Sequence, residues 1–545
     1  MFRPKLIDTL KYYSREQFIK DLIAGLIVGI VALPLAIAFA IASGVSPEKG
    51  IFTAIIAGMV ISALGGSRVQ IGGPTGAFIV VVYGIVQQFG ISGLVIATFI
   101  AGILLIIMGL TKLGNAIKFI PYPLIIGFTT GIAVIIFSSE VKDFLGLKMG
   151  NVPADFINKW LAYGRHLSSV NGYAIALGLF TLLVVLFWPK VTRKVPGSII
   201  AIIITTLAVQ FFHLPVETIG SRFGAIPSSL PQPVVPAVSL ATLQQLIRPA
   251  FTIALLGSIE SLLSAVVADG MIGGNHRSNT ELIAQGIANI CSSVFGGIPA
   301  TGAIARTATN IKNGGRTPVA GIVHAITLLI ILLFVGKWAA LIPMATLAGI
   351  LIVVAWNMSE LENFISVFKG SKSDAAVLIT TFALTVLVDL TVAIEIGMIL
   401  AAFLFMRKMM LVSSVQQTVL PNPADELATT QYIPKGVDVF EITGPLFFGA
   451  AYKFKDAMNV IENPARILII RMRNVPVIDA TGIRVLREVN AAIKRKGTKL
   501  ILAEVNSVQV MEELKKARLV FQIGKGNIRD TFENALKRAT EILPR

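Results

Sequence analysis

The chain has 545 residues, 54% of them hydrophobic and only 14% charged, with a mean hydropathy of +0.79. So apolar a composition excludes a soluble globular protein of this length and points to a polytopic membrane protein. The formal charge of +17 would suggest nucleic-acid binding in a soluble chain, but here the cations recur in short connections between apolar runs, so the partner they imply is the lipid bilayer and no nucleic acid is expected. The single cysteine, Cys291, excludes an intrachain disulfide. No group of His, Asp and Glu has metal spacing, and there is no nucleophile elbow, Walker loop or kinase signature. The chain therefore reads as neither an enzyme nor a primary pump, with no metal or organic cofactor expected.

Residues 1–20, with Arg3, Lys5, Lys11, Arg15 and Lys20, read as a cytoplasmic lead-in rather than a removable signal. Seven apolar runs follow within 21–212, at 21–42, 51–64, 74–87, 93–111, 123–140, 173–188 and 198–212. Residues 213–250 form a connection too dense in proline for a helix, with Pro227, Pro231, Pro233 and Pro236. A second set of seven lies within 251–412, at 251–268, 280–295, 302–312, 318–335, 342–356, 375–388 and 391–405. Several runs are shorter than the roughly 20 residues of a straight span, which predicts broken or tilted helices.

From a cytoplasmic amino terminus, Arg68, Lys112, Lys118, Lys190, Arg277, Lys312 and Lys369 fall on the inner side, and an even number of spans returns the chain there at Arg407. The opposite connections are poorer in cations, with 142–165 a partial exception. Seven spans per half insert the second half upside down relative to the first. Residues 413–432, with Pro421 and Pro423, read as a polar linker. Beyond them, strand-like runs at 437–443, 466–472 and 499–503 alternate with helical patterns at 450–461, 482–495, 508–517 and 530–542. Residues 433–545 are thus a small cytoplasmic α/β domain.

The chemistry concentrates in one repeated motif. Gly65-Gly66 is followed by Gly73-Pro74-Thr75-Gly76-Ala77, and Gly296-Gly297 by Pro299-Ala300-Thr301-Gly302-Ala303. Helix breakers at membrane depth line polar cavities, and a pair of them in corresponding positions of two halves marks the binding site of a repeat-built transporter. Helices starting at Gly76 and Gly302 from opposite sides would aim unpaired amides and positive dipole ends at a shared anion, with Thr75 and Thr301 as caps or hydroxyl donors. Arg306, one turn past Gly302, adds a full charge; it either faces that anion or pairs with a helix carboxylate. Glu260 sits in an apolar helical run with Ser264 at i,i+4. Proton coupling, a fixed pair with Arg306 and cation coordination all suit it. In the α/β domain, Asp479-Ala480-Thr481-Gly482 lies between a strand and a helix, making Thr481 a helix cap or a phosphorylation or docking position.

Through these residues, through Gly444-Pro445-Leu446-Phe447-Phe448-Gly449 and through the Asp479–Gly482 stretch, the chain resembles the sulfate permease (SulP) family of anion transporters along almost its whole length. The resemblance implies a seven-plus-seven inverted repeat of 14 spans divided into core and gate domains, followed by a STAS domain. It places the anion site at Phe39, Ala77, Phe78, Ala303, Ile304 and Arg306, and the coupling site at Glu260 with Ser264. The runs 253–263, 267–271 and 354–360 look most like bacterial aerobic C4-dicarboxylate carriers of that family. Leu35 and Phe39 stand where many relatives have an amide and a phenol, and Ala480 removes a hydroxyl from the STAS loop.

The expected function is proton-coupled uptake of sulfate or a C4-dicarboxylate by an elevator-like secondary transporter. It would be a multi-pass homodimer in a bacterial inner membrane with both termini cytoplasmic and a protein partner at the STAS domain. A sodium-coupled bicarbonate transporter, an uncoupled anion channel and a STAS-based signalling protein are the alternatives.

Overall fold

The computed structural model describes residues 2–11, 13–115, 120–150, 152–192, 196–235, 240–412, 414–417, 433–459 and 465–543. It divides into two compact units, Met1–Ala401 and Ala402–Arg545.

The first unit begins with a short helix α1 (Lys5–Leu10), then α2 (Arg15–Ala42) and α3 (Pro47–Leu64). A two-residue strand β1 (Gly72–Gly73) and a 3-10 turn at Gly76–Phe78 lead into α4 (Ile79–Leu110). Gly90, at φ +67°, breaks α4 into two apolar stretches; only glycine takes that conformation without strain, so the chain can reverse there. Next come α5 (Tyr122–Leu145), α6 (Phe156–His166), α7 (Gly172–Val191), α8 (Gly197–Phe212) and α9 (Ile219–Phe223). The second half repeats the plan with α10 (Leu240–Ile272), α11 (Ser278–Val294), strand β2 (Thr301–Gly302), α12 (Ile304–Lys312) and α13 (Pro318–Ala339). It ends with α14 (Met344–Met358), α15 (Leu361–Phe368), α16 (Lys372–Leu387) and α17 (Leu390–Val412).

Among the described residues, nine helices are long and apolar enough to cross a membrane, and α8 is a shorter apolar helix. Their burial suits hydrocarbon as solvent. In α7 the small or polar positions Ala174, Gly178 and Thr181 face inward with Leu177, whereas Leu179, Leu183, Leu186 and Phe187 are exposed. The helices sort into two groups by their packing. One joins α2, α3, α4, α10, α11, α12 and α13; the other joins α5, α7, α8, α14 and α16. Each group draws on both halves of the chain, as the core and gate of an inverted repeat require.

The second unit holds a five-stranded sheet in the order β3 (Ser414–Gln417), β4 (Val437–Thr443), β5 (Ile467–Asn474), β6 (Lys499–Ala503), β7 (Ile528–Arg529). All neighbours are parallel except β3, which pairs antiparallel with β4. Helices α18 (Phe448–Asn459), α19 (Ala480–Arg495), α20 (Val508–Lys516), α21 (Leu519–Ile523) and α22 (Phe532–Ile542) cover it. Residues on one face of the strands, such as Phe440, Leu468 and Ile470, pack with α18 and α19; the alternate residues Val439, Ile469 and Ile501 pack with α22. The linker expected over 413–432 is corrected at 414–417, where the open edge of β4 recruits the chain as a strand; residues 413 and 418–432 lie outside the described residues. So do 460 and 461 of the helical pattern expected at 450–461, and Lys118 and Pro236.

Candidate functional site: a cross-repeat cradle

The two broken segments meet. Gly72 pairs with Gly302 and Gly73 with Thr301 in an antiparallel ladder, so β1 of the first half and β2 of the second satisfy each other's backbone where helix is absent. The approaches are sealed by side chains. Asn289 brackets Ala300, accepting from its N–H and donating to its carbonyl, both at 2.9 Å. Thr53 Oγ1 accepts from Ile298 N at 2.7 Å. On the β1 side, the Glu281 carboxylate accepts from the amides of Gly66 at 2.8 Å and Ser67 at 3.1 Å. The Thr307 hydroxyl accepts from Ile71 N at 3.0 Å, and the Asn310 amide donates to the Val69 carbonyl at 2.8 Å. Thr307 and Asn310 belong to α12, so α12 of one half braces the entry strand of the other.

The helix starts differ in detail from the sequence expectation. Gly302 does not open a helix: its backbone is committed to Gly72, and α12 starts at Ile304 with Ala303 as its N-cap. Gly76 opens a 3-10 turn rather than an α-helix. Neither threonine caps by its side chain. Thr301 Oγ1 donates to the Gly257 carbonyl of α10 at 2.8 Å, and Thr75 Oγ1 is buried without a hydrogen-bond partner. Thr75 therefore retains an unused hydroxyl beside the start at Gly76.

Arg306 is 2% exposed and bridges the halves, its Nη2 donating to the Pro74 carbonyl at 2.8 Å. The bridge requires glycine at 73. That residue has φ +152°, and a Cβ there would stand 2.5 Å from Arg306 Nη1. Nη1 itself has no hydrogen-bond partner, and among the described residues no carboxylate forms an ion pair with the guanidinium. The expected alternative of a fixed Glu260–Arg306 pair is thus not what the chain forms.

Glu260 and Ser264 lie on the α10 face that meets this assembly. Gly257, one turn before Glu260, receives Thr301; Ser264, one turn after it, donates to Thr307 Oγ1 at 3.4 Å; and Ser261 Oγ accepts from Gln70 Nε2 at 2.8 Å. Glu260 is buried at 9% exposure.

Around Gly76 the surroundings are apolar: a Cβ there would come within 2.9 Å of Met358 Sδ, 3.5 Å of Ile136 Cδ1 and 3.6 Å of Phe39 Cε1. Ala77 and Phe78 are buried, with the Phe78 ring against Gly257 at 3.4 Å from where a Cβ would be. Ala303 is buried and Ile304 half-buried. The structure thus gathers Phe39, Gly76 and Phe78 with α10, and joins Thr301, Gly302, Ala303 and Arg306 to them through the strand pair. Met358, Ile136, Gln70, Thr307 and Glu281 are neighbours that the sequence reading missed. Met358, Ile136 and Glu281 come from elements remote from the motif in sequence, while Gln70 and Thr307 lie inside the two motif segments and are given their roles by partners in the opposite half or on α10. In the second unit Asp479, not Thr481, caps α19, accepting from Gly482 N at 2.7 Å; Thr481 lies within the first turn.

Residues 18–381 match the sulfate permease family, and residues 430–535 match the STAS domain. The chain belongs to the sulfate permease family. This permease is 44% identical, over 95% of its length and 97% of the relative's, to a putative sulfate transporter, YvdB, of Bacillus subtilis. It is 31% identical to the bicarbonate transporter BicA of a Picosynechococcus species, over 95% of its own chain and 94% of that one. Its fold matches murine Slc26a9, an anion transporter solved in the inward-facing state, with a TM-score of 0.88 over 99% of this chain and 94% of that one at 18% identity. The permease is a multi-pass membrane anion transporter with a carboxy-terminal STAS domain, and not an enzyme.

Proposed function

We propose that the permease is a proton-coupled uptake carrier for a small divalent anion, sulfate or a C4-dicarboxylate, with the strand-paired cradle as its binding site. The observation that carries this is the guanidinium of Arg306: buried, hydrogen-bonded once to Pro74 and left without a carboxylate, beside the half-helix start at Gly76. A fixed cation in that setting is stabilised by an anion that arrives and leaves. Phe39, Ala77, Phe78, Ala303 and Ile304 would form the walls, and Thr75, Thr301 and the Gly76 amide the polar contacts. Glu260, one helical turn from both Gly257 and Ser264, carries the proton; protonation removes a negative charge near the bound anion and ties its movement to that of H+.

The Gly76 surroundings draw Phe39 from the core group and Ile136 and Met358 from the gate group, which supports an elevator-like slide of the cradle along a static gate. On this reading both termini face the cytoplasm of a bacterial plasma membrane. The test is uptake of labelled sulfate, succinate and bicarbonate into proteoliposomes under imposed proton or sodium gradients. Acid outside is expected to stimulate sulfate or succinate uptake. Absence of that stimulation, together with Glu260→Gln uptake equal to wild type, would refute coupling. Bicarbonate with sodium is the second reading, favoured by the likeness to BicA over nearly the whole chain.

A further inference from the structure

Beyond the cradle lies a cavity of about 540 Å³ walled by both helix groups: α4 and α10 on one side, Ser139 of α5 and residues 385–387 of α16 on the other. Its lining reaches Ile79, the residue after Phe78, and Thr252, about 12 Å along α10 from Glu260 at 1.5 Å per residue. Lys159 lines it too, and is only 2% exposed. It stands on α6, an 11-residue helix outside the apolar spans, whose N-cap Asp155 is occupied in accepting from Asn158 N at 2.8 Å.

The Lys159 ammonium donates to Ser139 Oγ at 2.9 Å and stands 5.9 Å from the Tyr83 ring centroid. Among the described residues no carboxylate lies within 4.0 Å of it. An ammonium has three donors, and lysine is almost never so buried unless paired. The groups facing it are Glu140 from α5, the α6 cap Asp155 and Tyr83 from α4, with Arg248 of α10 and Asp389 elsewhere on the cavity wall. Residues 385–388, the part of α16 and its end that lines the cavity, carry no charge.

We infer that Lys159 forms a receiving subsite for the transported anion in this cavity, pairing with it transiently before it reaches the cradle. The spare donors and the missing carboxylate are then one design: a permanent partner would close the subsite. Burial pulls the Lys159 ammonium down to about 8, against Glu140 and Asp155, which favour its charged form. The subsite thus loses its charge in mildly alkaline solution.

The inference rests on the anion-transport reading but not on proton coupling, so it is tested by exchange of labelled sulfate, or of succinate if sulfate is not carried, at equal pH on both faces. Lys159→Gln is expected to raise KM about tenfold with kcat changed less than twofold, and Lys159→Arg to restore KM. Between pH 7 and 9 the wild-type KM should rise, and in Lys159→Arg that rise should vanish. An unchanged KM in Lys159→Gln, or an alkaline rise persisting in Lys159→Arg, overturns the subsite. So does a lowered melting temperature with kcat reduced and KM constant, which would make Lys159 a strut for α6. Failure of the coupling reading shows separately, as exchange that continues while a pH gradient has no effect on uptake.

Discussion

Replacing Arg306 by glutamine separates a binding role from a structural one, because the two roles predict opposite readouts. The guanidinium makes one charged hydrogen bond across the repeats, to Pro74 at 2.8 Å, and such bonds contribute about 1.5–3 kcal/mol. Each unit of charge on an anion about 4 Å away would add about 4 kcal/mol of attraction at an effective dielectric constant near 20. Glutamine removes that attraction, and at 1.4 kcal/mol per decade the loss corresponds to roughly a thousandfold in affinity per unit of charge. Against this, deleting a buried charge that has no carboxylate relieves a desolvation penalty of several kcal/mol, which offsets the lost bridge in the folded state. The expected result is an anion affinity at least about a hundredfold weaker, with a melting temperature within a few degrees of wild type. Equilibrium binding of labelled sulfate and succinate to detergent-purified protein, alongside thermal unfolding, measures both. A large fall in melting temperature with affinity unchanged would refute the argument and leave Arg306 as a bridge between half-helices.

Two further substitutions probe the frame around that charge. Gly302→Ala would drive a methyl into the Gln70 side chain, which Ser261 holds in place; transport should be lost and stability should fall by about 1–3 kcal/mol, read by uptake and thermal unfolding. In the second unit, Asp479→Ala removes the α19 cap and should lower stability by about 1 kcal/mol, seen as faster amide exchange in the first turn of α19, while Thr481→Ala should leave that exchange unaltered.

The duplicated Gly-Gly, Pro, Thr-Gly-Ala order made the site legible because helix breakers inside apolar sequence have few uses at membrane depth. Its internal bonding was not legible. Nothing local to Gly302 says that its backbone pairs with Gly72, some 230 residues earlier, and that pairing delays the helix to Ile304. Met358 and Ile136 escaped notice for the same reason: their place beside Gly76 is fixed by the packing of the gate group, not by their neighbours in sequence. In Asp479-Ala480-Thr481-Gly482 either Asp479 or Thr481 suits an N-cap by type. The choice falls to Asp479 because its oxygen reaches the amide three residues on. Lys159 did leave a trace, as one of the cations that made 142–165 an exception in an otherwise cation-poor set of connections.

The β1–β2 ladder bears on how the chain comes to be assembled. A first half ending near residue 235 would hold Gly72 and Gly73 with no strand to receive them, inside a bilayer that offers no water as substitute. The second half alone would strand Thr301 and Gly302 in the same way. Each half thus completes the backbone pairing of the other, and because the second half follows the first along the chain, the ladder can close only after both have been made.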